Sequence, residues 1–417
     1  MTAMPPIRPI FPALLVCVLA PFVLGRGVLP ALRVIDSDFP NYYVAARIVR
    51  DGKDPAKLYD DDWFQAKIYD NGIRQRGKFS PFPPPTALLF LPLTGFSPLA
   101  ALRVVTLLNL AMLGAAVLLV SWTCGFSAIE SAAFVLLSGV GLINCLRLGQ
   151  LYIGVSVLML LGIYLLARGR EGWGGACLAL PVPFKYFPAI FIAYLGIRGR
   201  WKVVISSAFV LAGICGASVA ILGWPVHAEF LMSVLPNHIQ SNLSQQDPFS
   251  VAFQSFDSLL RRPFVVDPAR NPHPAADAYR IYLVLKPILI LVLAALAGLG
   301  VCRVERRGGS ARNLSISLLG ILGLLVAPAT ATYHFVLLWL PVGLLLSYLR
   351  GSGNRLLFAL SIGFYAAIGL LPYTLVQSLA GQGLLSLAAY PRLWLMSALF
   401  LTALAAALGT GDDRTVP

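Results

Sequence analysis

Long apolar runs alternate with short polar stretches along almost the whole chain. A transmembrane helix needs about 20 mostly apolar residues, and ten of the runs are close to that length. They cover residues 10–32, 99–121, 129–146, 151–167, 203–223, 281–302, 313–331, 334–349, 356–376 and 391–409. The pattern predicts an all-α polytopic membrane protein whose bundle has about ten full spans.

The composition agrees with lipid as the surrounding solvent. Of the 417 residues, 58% are hydrophobic and only 12% are charged, and the mean hydropathy is +0.78. Soluble domains carry roughly 25% charged residues. A soluble protein this apolar would expose large adhesive patches. We therefore expect residues 1–417 to form a single transmembrane domain without a separate soluble part.

Four basic clusters and two long polar loops predict how the chain is oriented. The clusters hold eleven basic and two acidic residues, whereas the loops 33–84 and 225–280 together hold thirteen of each and are neutral. The clusters are Arg168/Arg170, Arg198/Arg200/Lys202, Arg303/Arg306/Arg307/Arg312 and Arg350/Arg355. Basic residues concentrate in cytoplasmic connections. We expect both termini in the cytoplasm, both long loops outside, and a multi-pass protein of the inner or plasma membrane.

Segment 172–197 lies between two of these cytoplasmic clusters, so the charge pattern does not allow it to cross once. Pro181 and Pro183 interrupt it near its middle, and Lys185 follows them. Broken helices are tolerated at membrane depth only where protein or a cavity covers the freed backbone. We predict a re-entrant pair of half-helices; the alternative is one long span that departs from the charge rule.

Three further features exclude other classes of protein. The net charge of +14 comes with no basic, aromatic-rich soluble face, so nucleic acid is not an expected partner. Only Arg8 precedes the first apolar run and no A-x-A site follows it, which favours a retained span over a signal peptide. The six cysteines form no C-x-x-C pair, which indicates small core residues rather than disulfides or zinc ligands.

The loop 33–84 begins with two carboxylates just after the predicted first span. They are Asp36 and Asp38, and Tyr42 and Tyr43, which suit a membrane interface, follow closely. A carboxylate beside apolar side chains and lipid is partly desolvated, which raises its pKa and its strength as a base. The loop closes with a proline-rich stretch at 81–85, which favours extended chain where the loop meets the membrane.

Several motifs occur in an order that is typical of one family. They are Asp38-Phe39 with Tyr42-Tyr43 and Ala45-Ala46, Leu58-Tyr59-Asp60, Pro81 to Pro85 followed by Ala87-Leu88-Leu89 and Leu91-Pro92-Leu93, Gly149-Gln150, Lys185 with Pro188, and Ala327-Pro328 with Tyr333-His334. Over nearly its whole length the chain resembles glycosyltransferase family 87, the polyprenyl-phosphate-sugar-dependent transferases of the glycosyltransferase C superfamily. Tyr152, Tyr333 and the loop 254–262 depart from the family pattern.

The resemblance implies a glycosyltransferase C-type helical bundle in the membrane and a role in cell-envelope glycan synthesis. The donor would be a polyprenyl-phosphate sugar, often mannose and sometimes arabinofuranose in this family, and the acceptor a hydroxyl of a glycolipid or glycan at the outer face. A lipid phosphate leaves without a general acid, so an inverting displacement needs one base and a cation for the phosphate. Asp38 holds the family position of the base, and Asp36 is a candidate to assist it; the alternative for Asp38 is an ordinary solvated or helix-capping acid of the loop.

Further side chains are expected to bind the substrates. Lys185, ionisable and at membrane depth, is expected to contact the donor phosphate with Arg147; the alternative for each is an interfacial anchor. Contacts to sugar or acceptor are expected from His334, Gln150, Tyr42 and Gln254, with Tyr152 as a further candidate. The alternative for Gln150, Gln254 and Tyr152 is that they only satisfy neighbours within the bundle.

No cofactor is expected. Asp36-x-Asp38 superficially resembles a divalent-cation motif, but a lipid-monophosphate donor carries less charge than a nucleotide diphosphate. His227, His238 and His273 lack the spacing of metal ligands. Three other functions stay open: a transporter or flippase of lipid-linked saccharides, for which no internal repeat is evident, a membrane scaffold, and a related transferase that moves another sugar.

Overall fold

The computed structural model describes residues 9–409, apart from the side chain of Ser310. In this range the regular structure is helical, and an isolated bridge between Asp267 and Asn271 is the one extended pairing. The all-α prediction is therefore confirmed. The prediction that both termini lie in the cytoplasm concerns residues 1–8 and 410–417, which lie outside the described residues.

Six helices of the described chain are long and apolar enough to cross a membrane. They are Ile10–Ala31, Pro98–Cys124, Trp201–Leu222, Tyr279–Arg307, Thr332–Ser352 and Pro391–Leu408. Two helix pairs reach the same length but are sharply bent, Ala128–Leu136 with Val140–Arg147 by 76° and Arg355–Leu370 with Tyr373–Gly381 by 74°. Residues 9–409 thus supply six candidate spans, or eight if each bent pair crosses once.

The predicted count of about ten full spans is not confirmed. Two of the predicted runs form helices of 16 and 14 residues, Tyr152–Ala167 and Asn313–Val326. At about 1.5 Å per residue both are shorter than the roughly 30 Å hydrocarbon core. The second helix ends early because Ala327 adopts an extended backbone before Pro328. Predicted run 313–331 continues five residues beyond the end of the second helix, so composition alone overestimates its length, whereas the first helix nearly matches its predicted run.

The polar loops fold into short helices instead of open coil. Loop 33–84 and its continuation contain Phe39–Arg50, Pro55–Tyr59, Asp61–Asp70, Thr86–Leu89 and Leu91–Leu93; loop 225–280 contains Trp224–Glu229, Phe230–Val234, Leu235–Ile239 and Phe256–Phe264. Two further short helices are Gly309–Arg312 and Gly383–Ala389. Asp54 and Asp60 each start a helix by accepting a backbone N–H with the side chain, from Ala56 and Trp63 respectively, both at 3.0 Å.

Segment 172–197 forms two nine-residue helices, Glu171–Ala179 and Ala189–Ile197. The two helices are separated by the non-helical residues 180–188, which contain Pro181, Pro183 and Lys185. A pair of half-helices was expected here, and the break falls where proline removes backbone donors. Re-entry of this pair within the membrane stays a prediction.

The chain divides into two compact units. One, which we call the Asp38 unit, consists of residues 20–119 and 142–246; the other, the Arg392 unit, holds residues up to 19, 120–141 and from 247 onward. In the Asp38 unit the core is built around helix Phe39–Arg50, whose aromatic residues pack with Phe64, Phe79 and Phe90. The short helices of loop 33–84 therefore belong to a packed core, which makes them a rigid support for nearby side chains.

The Arg392 unit is built around the buried helix Thr332–Ser352. Arg392 is 1% exposed, and it donates to the Thr332 hydroxyl at 2.7 Å and to the Leu371 carbonyl at 3.1 Å. Arg350 and Glu130 form an ion pair at 2.8 Å. These contacts give the Arg392 unit a core of its own.

Candidate active site

Asp38 directly precedes helix Phe39–Arg50, at the position where aspartate usually caps a helix. Its side chain accepts no hydrogen bond from the helix N-terminus. Instead the Gln150 side-chain Nε2 donates to Asp38 Oδ2 at 2.6 Å, and the Ser37 hydroxyl donates to Oδ1 at 3.3 Å. The Asp38 side chain therefore bonds to Gln150 and Ser37 and does not cap this helix.

Gln150 connects Asp38 to a third residue. The Tyr42 hydroxyl donates to Gln150 Oε1 at 2.7 Å, and Gln150 itself is 1% exposed. Tyr42 lies four residues after Asp38, about one helical turn further along. Its ring stacks on Phe90, with the centroids 5.2 Å apart. Asp38, Gln150 and Tyr42 thus form a chain of side-chain hydrogen bonds, which we call the Asp38 relay.

Gly149 explains how Gln150 reaches this place. The chain turns there with φ +64°, a left-handed backbone that suits glycine. A Cβ at Gly149 would meet Leu102 at 3.0 Å and Phe39 at 3.1 Å. The backbone N–H of Gln150 then donates to the Cys145 carbonyl at 2.9 Å. The Gly-Gln motif therefore supplies both a tight turn and the side-chain amide of Gln150, which the turn places beside Asp38.

Asp36 has a different environment from Asp38. Its Oδ2 forms an ion pair with Arg147 Nε at 2.7 Å, and its Oδ1 accepts the backbone N–H of Ser37 at 2.8 Å. Asp38 has no basic side chain within 4.0 Å among the described residues. Asp38 is the better candidate for the base, because the Asp36 carboxylate is already engaged by the Arg147 guanidinium. The predicted phosphate contact of Arg147 stays a prediction.

Burial raises the pKa of Asp38 above its usual value, although the hydrogen bond from Gln150 and the nearby charge of Lys185 oppose the rise. Ser37 also lowers the pKa, and the charge of Asp36 raises it. The residue lies outside the candidate spans. A raised pKa makes a carboxylate a stronger proton acceptor, which suits a general base. This agrees with the desolvated carboxylate expected from the sequence.

Lys185 lies in the break between the two half-helices, beside three aromatic rings. Its ammonium is 4.4 Å from the ring centroid of Phe82, 4.7 Å from Tyr152 and 5.7 Å from Tyr42. No carboxylate of the described chain lies within 4.0 Å of it. Burial lowers the pKa of Lys185 to about 7, while the charge of Asp38 raises it. Aromatic faces attract a cation without neutralising it, so the charge stays available for an anion.

The proline-rich stretch supplies one wall of this aromatic group. The Ser80–Pro81 peptide bond is cis. The Tyr59 hydroxyl donates to the Phe82 carbonyl at 2.7 Å, and the Tyr186 hydroxyl donates to the Pro81 carbonyl at 3.2 Å. Tyr59 of the Leu-Tyr-Asp motif therefore holds the stretch on one side, and Tyr186, the residue after Lys185, holds it on the other. These bonds explain why Phe82 lies beside the ammonium.

Two residues near Lys185, Phe82 and His238, were missed or only partly anticipated from the sequence. Phe82 belongs to the proline-rich stretch 81–85, but the sequence assigned it no role of its own. His238 was considered only as a metal ligand; its Nδ1 is buried without a hydrogen-bond partner in the described chain. Burial, together with the charges of Lys185 and Lys78, lowers the pKa of His238 to about 4. The sequence carries no signal for this proximity, because His238 and Lys185 belong to different loops.

Gln254 and His334 belong to the Arg392 unit. Gln254 Nε2 donates to the Val251 carbonyl at 2.7 Å, and its Oε1 accepts the backbone N–H of Arg392 at 3.0 Å. His334 Nδ1 accepts the backbone N–H of Ala331 at 2.8 Å. These are contacts within their own unit. The predicted contacts of both residues with sugar or acceptor stay predictions.

The described residues contain no group of three or more His, Cys, Asp or Glu side chains that could hold a metal ion. Asp36 and Asp38 bind different partners, Arg147 and Gln150. His227, another histidine considered as a ligand, lies 3.0 Å from the Ser218 hydroxyl and 2.7 Å from the Gly223 carbonyl through its two ring nitrogens. The expectation that no metal takes part stays a prediction.

Fold and site together define a helical membrane protein in which a desolvated carboxylate and a lysine with no ion-pair partner among residues 9–409 lie in the same compact unit. A comparison with protein families matches residues 81–328 to glycosyltransferase family 87, and the chain belongs to this family. The match includes Gln150 and Lys185, and Asp38 lies before it. Neither the curated proteins nor the solved structures provide a match. The family indicates a glycosyltransferase.

Proposed function

We propose that the protein is an inverting glycosyltransferase that moves a sugar, expected to be mannose, from a polyprenyl-phosphate carrier to an acceptor hydroxyl at the outer face of the membrane. The observation that carries the proposal is the Asp38 carboxylate, bonded to Gln150 and placed in the same unit as the unpaired ammonium of Lys185. A base and a cation are the two groups that this reaction needs.

In this reaction Asp38 removes the proton of the acceptor hydroxyl as its oxygen attacks the anomeric carbon of the donor sugar. The bond between that carbon and the phosphate oxygen breaks with its electron pair on the phosphate. Lys185 stabilises the negative charge that remains on the departing lipid phosphate. The phosphate needs no proton to leave, so a second carboxylic acid is not required.

The test uses purified protein in lipid nanodiscs, polyprenyl-phosphate mannose and a membrane lipid extract, with any new glycoside identified by mass and its anomeric configuration by NMR. Asp38→Asn should lower the rate at least about 100-fold, as for the loss of a general base, while donor binding persists. Asp62→Asn, an exposed acid of the same loop, is the matched control and should keep wild-type turnover.

Two results would contradict the proposal. One is Asp38→Asn that transfers sugar at the wild-type rate. The other is wild-type protein that moves lipid-linked saccharide across a vesicle membrane and forms no new glycoside, which would favour the transporter.

A further inference from the structure

The side-chain amide of Gln150 is occupied at both ends. Its Nε2 donates to Asp38 at 2.6 Å and its Oε1 accepts from Tyr42 at 2.7 Å. An ionised carboxylate only accepts hydrogen bonds, so the group that faces Asp38 must be the NH2 end of the amide. The Tyr42 hydroxyl, by donating to the other end, secures that orientation. A reversed amide would turn its oxygen toward the carboxylate and lose the bond to Asp38.

Both partners of Gln150 are mounted on rigid backbone. Tyr42 is fully buried, stacked on Phe90 and packed against Phe82 with centroids 4.7 Å apart. Gln150 follows the tight turn at Gly149, where no larger residue fits without displacing neighbours. Side chains locked by packing hold a reacting group in one geometry, which is where much of an enzyme's rate acceleration arises.

The relay also distinguishes the two oxygens of Asp38. Oδ2 is taken by Gln150, whereas Oδ1 has only the longer bond of 3.3 Å from Ser37. A hydrogen bond to Oδ2 anchors the carboxylate and leaves Oδ1 to take a proton. The ring of Tyr42 also lies beside the ammonium of Lys185, so the same tyrosine contacts the group that positions the base and the cation for the phosphate.

From these contacts we infer that Gln150, oriented by Tyr42, is a positioning residue that aims Oδ1 of Asp38 at the acceptor hydroxyl. This role differs from the sugar contact expected of Gln150 from the sequence, which stays a prediction, and it rests on the proposed function. Asp36, Ser37 and Lys185 also act on the Asp38 carboxylate. None of them is bonded to Oδ2.

The role predicts a change in pH dependence that a purely structural role would not cause. The bond from Gln150 lowers the pKa of Asp38, against the effect of burial. Without the amide the pKa of Asp38 rises, so the carboxylate stays protonated to higher pH. The acidic limb of the rate profile must then move to higher pH, while the limb that reports Lys185 stays in place.

The experiment measures single-turnover rates against pH with polyprenyl-phosphate mannose for wild type, Gln150→Leu and Tyr42→Phe. Gln150→Leu should be about 10- to 100-fold slower, the range for losing a hydrogen bond to a charged group, and Tyr42→Phe, which removes a bond between two neutral groups, should be about 2- to 10-fold slower. The acidic limb of each variant should lie at higher pH, and its KM should stay within about threefold of wild type. Tyr43→Phe is the matched control, because it deletes a hydroxyl of the same helix that donates to the Phe96 carbonyl at 2.8 Å, away from Asp38.

Other outcomes decide against the inference. A raised KM with an unchanged turnover rate would assign Gln150 to substrate binding. An unmoved acidic limb in both variants would make the relay structural only. If Gln150→Leu does not fold, Tyr42→Phe decides alone, since it removes one oxygen atom. Asp38→Asn distinguishes failure of the proposed function from failure of this inference. Full activity of Asp38→Asn overturns the proposed function. An inactive Asp38→Asn together with a fully active Gln150→Leu overturns only the positioning role of Gln150.

Discussion

The ammonium of Lys185 should make the reaction fade at alkaline pH. Burial lowers its pKa to about 7, and the cation is the minority form above that value. The residue lies outside the candidate spans, in the break between two half-helices. If Lys185 meets the donor phosphate as a cation, protonation of Lys185 does not limit kcat/KM of the free enzyme below about pH 6, where only the acidic limb of Asp38 lowers it, and kcat/KM declines through pH 7 as the cation is lost.

The size of the effect follows from the protonated fraction. One pH unit above a pKa of about 7, about one lysine in ten is charged and kcat/KM falls about tenfold; two units above, it falls about 100-fold. Lys185→Gln removes the cation at every pH and should cost about 3–4 kcal/mol, or 10²- to 10³-fold, as for other single groups that stabilise charge in a transition state. Lys185→Arg stays charged and should lose the alkaline limb.

The assay follows initial rates at low donor concentration between about pH 5 and 9 for wild type and both Lys185 variants. Lys67→Arg is the matched control, since Lys67 also lies over an aromatic ring, Trp63 at 5.6 Å, in the same unit. It should reproduce the wild-type profile. The reasoning is refuted if wild-type kcat/KM stays level to pH 9, or if Lys185→Arg keeps the wild-type alkaline limb.

Two further predictions concern the fold and its orientation. Gly149→Ala should destabilise the protein by about 2–4 kcal/mol and slow transfer, because it adds a close Cβ contact to a backbone strained at positive φ. The control is Gly169→Ala, which has φ +75° and no atom within 4 Å of the added Cβ, and which should cost only about 1 kcal/mol. Equal thermal shifts in the two variants would contradict the predicted difference. In a variant without the six native cysteines, Asp62→Cys should react with a membrane-impermeant maleimide on intact cells and Lys202→Cys only after permeabilisation; the reverse pattern would place the site in the cytoplasm.

The sequence identified most of the helical segments, although it did not predict their form. Every predicted apolar run corresponds to a helix or to a pair of helices in the structure. Hydropathy is averaged over consecutive residues, so it detects a span but not a bend of 76° within it. Run 313–331 exceeded its helix because the chain becomes extended at Ala327, before Pro328, while the sequence stays largely apolar. The loop helices were not anticipated, since their packing partners are distant in sequence.

The candidate site was partly predictable for a similar reason. Asp38, Lys185, Gln150 and Tyr42 were each named from motifs, and the desolvation of Asp38 followed from its place after an apolar run. The hydrogen-bond partners of Gln150 were not predictable, because a glutamine in a motif gives no indication of which groups its amide will meet. The position of Phe82 beside Lys185 was not predictable either, because it depends on the tertiary hydrogen bonds that hold the proline-rich stretch there.

By itself the sequence determined that lipid is the solvent, that the chain is helical, and that a few polar residues stand out against an apolar background. These are local properties, readable from neighbours along the chain. The tertiary structure decided which of two nearby carboxylates is paired with arginine and which is held by an amide 112 residues away. Only folding brings such residues together, because hydrogen bonds act over about 3 Å of space whatever the separation in sequence.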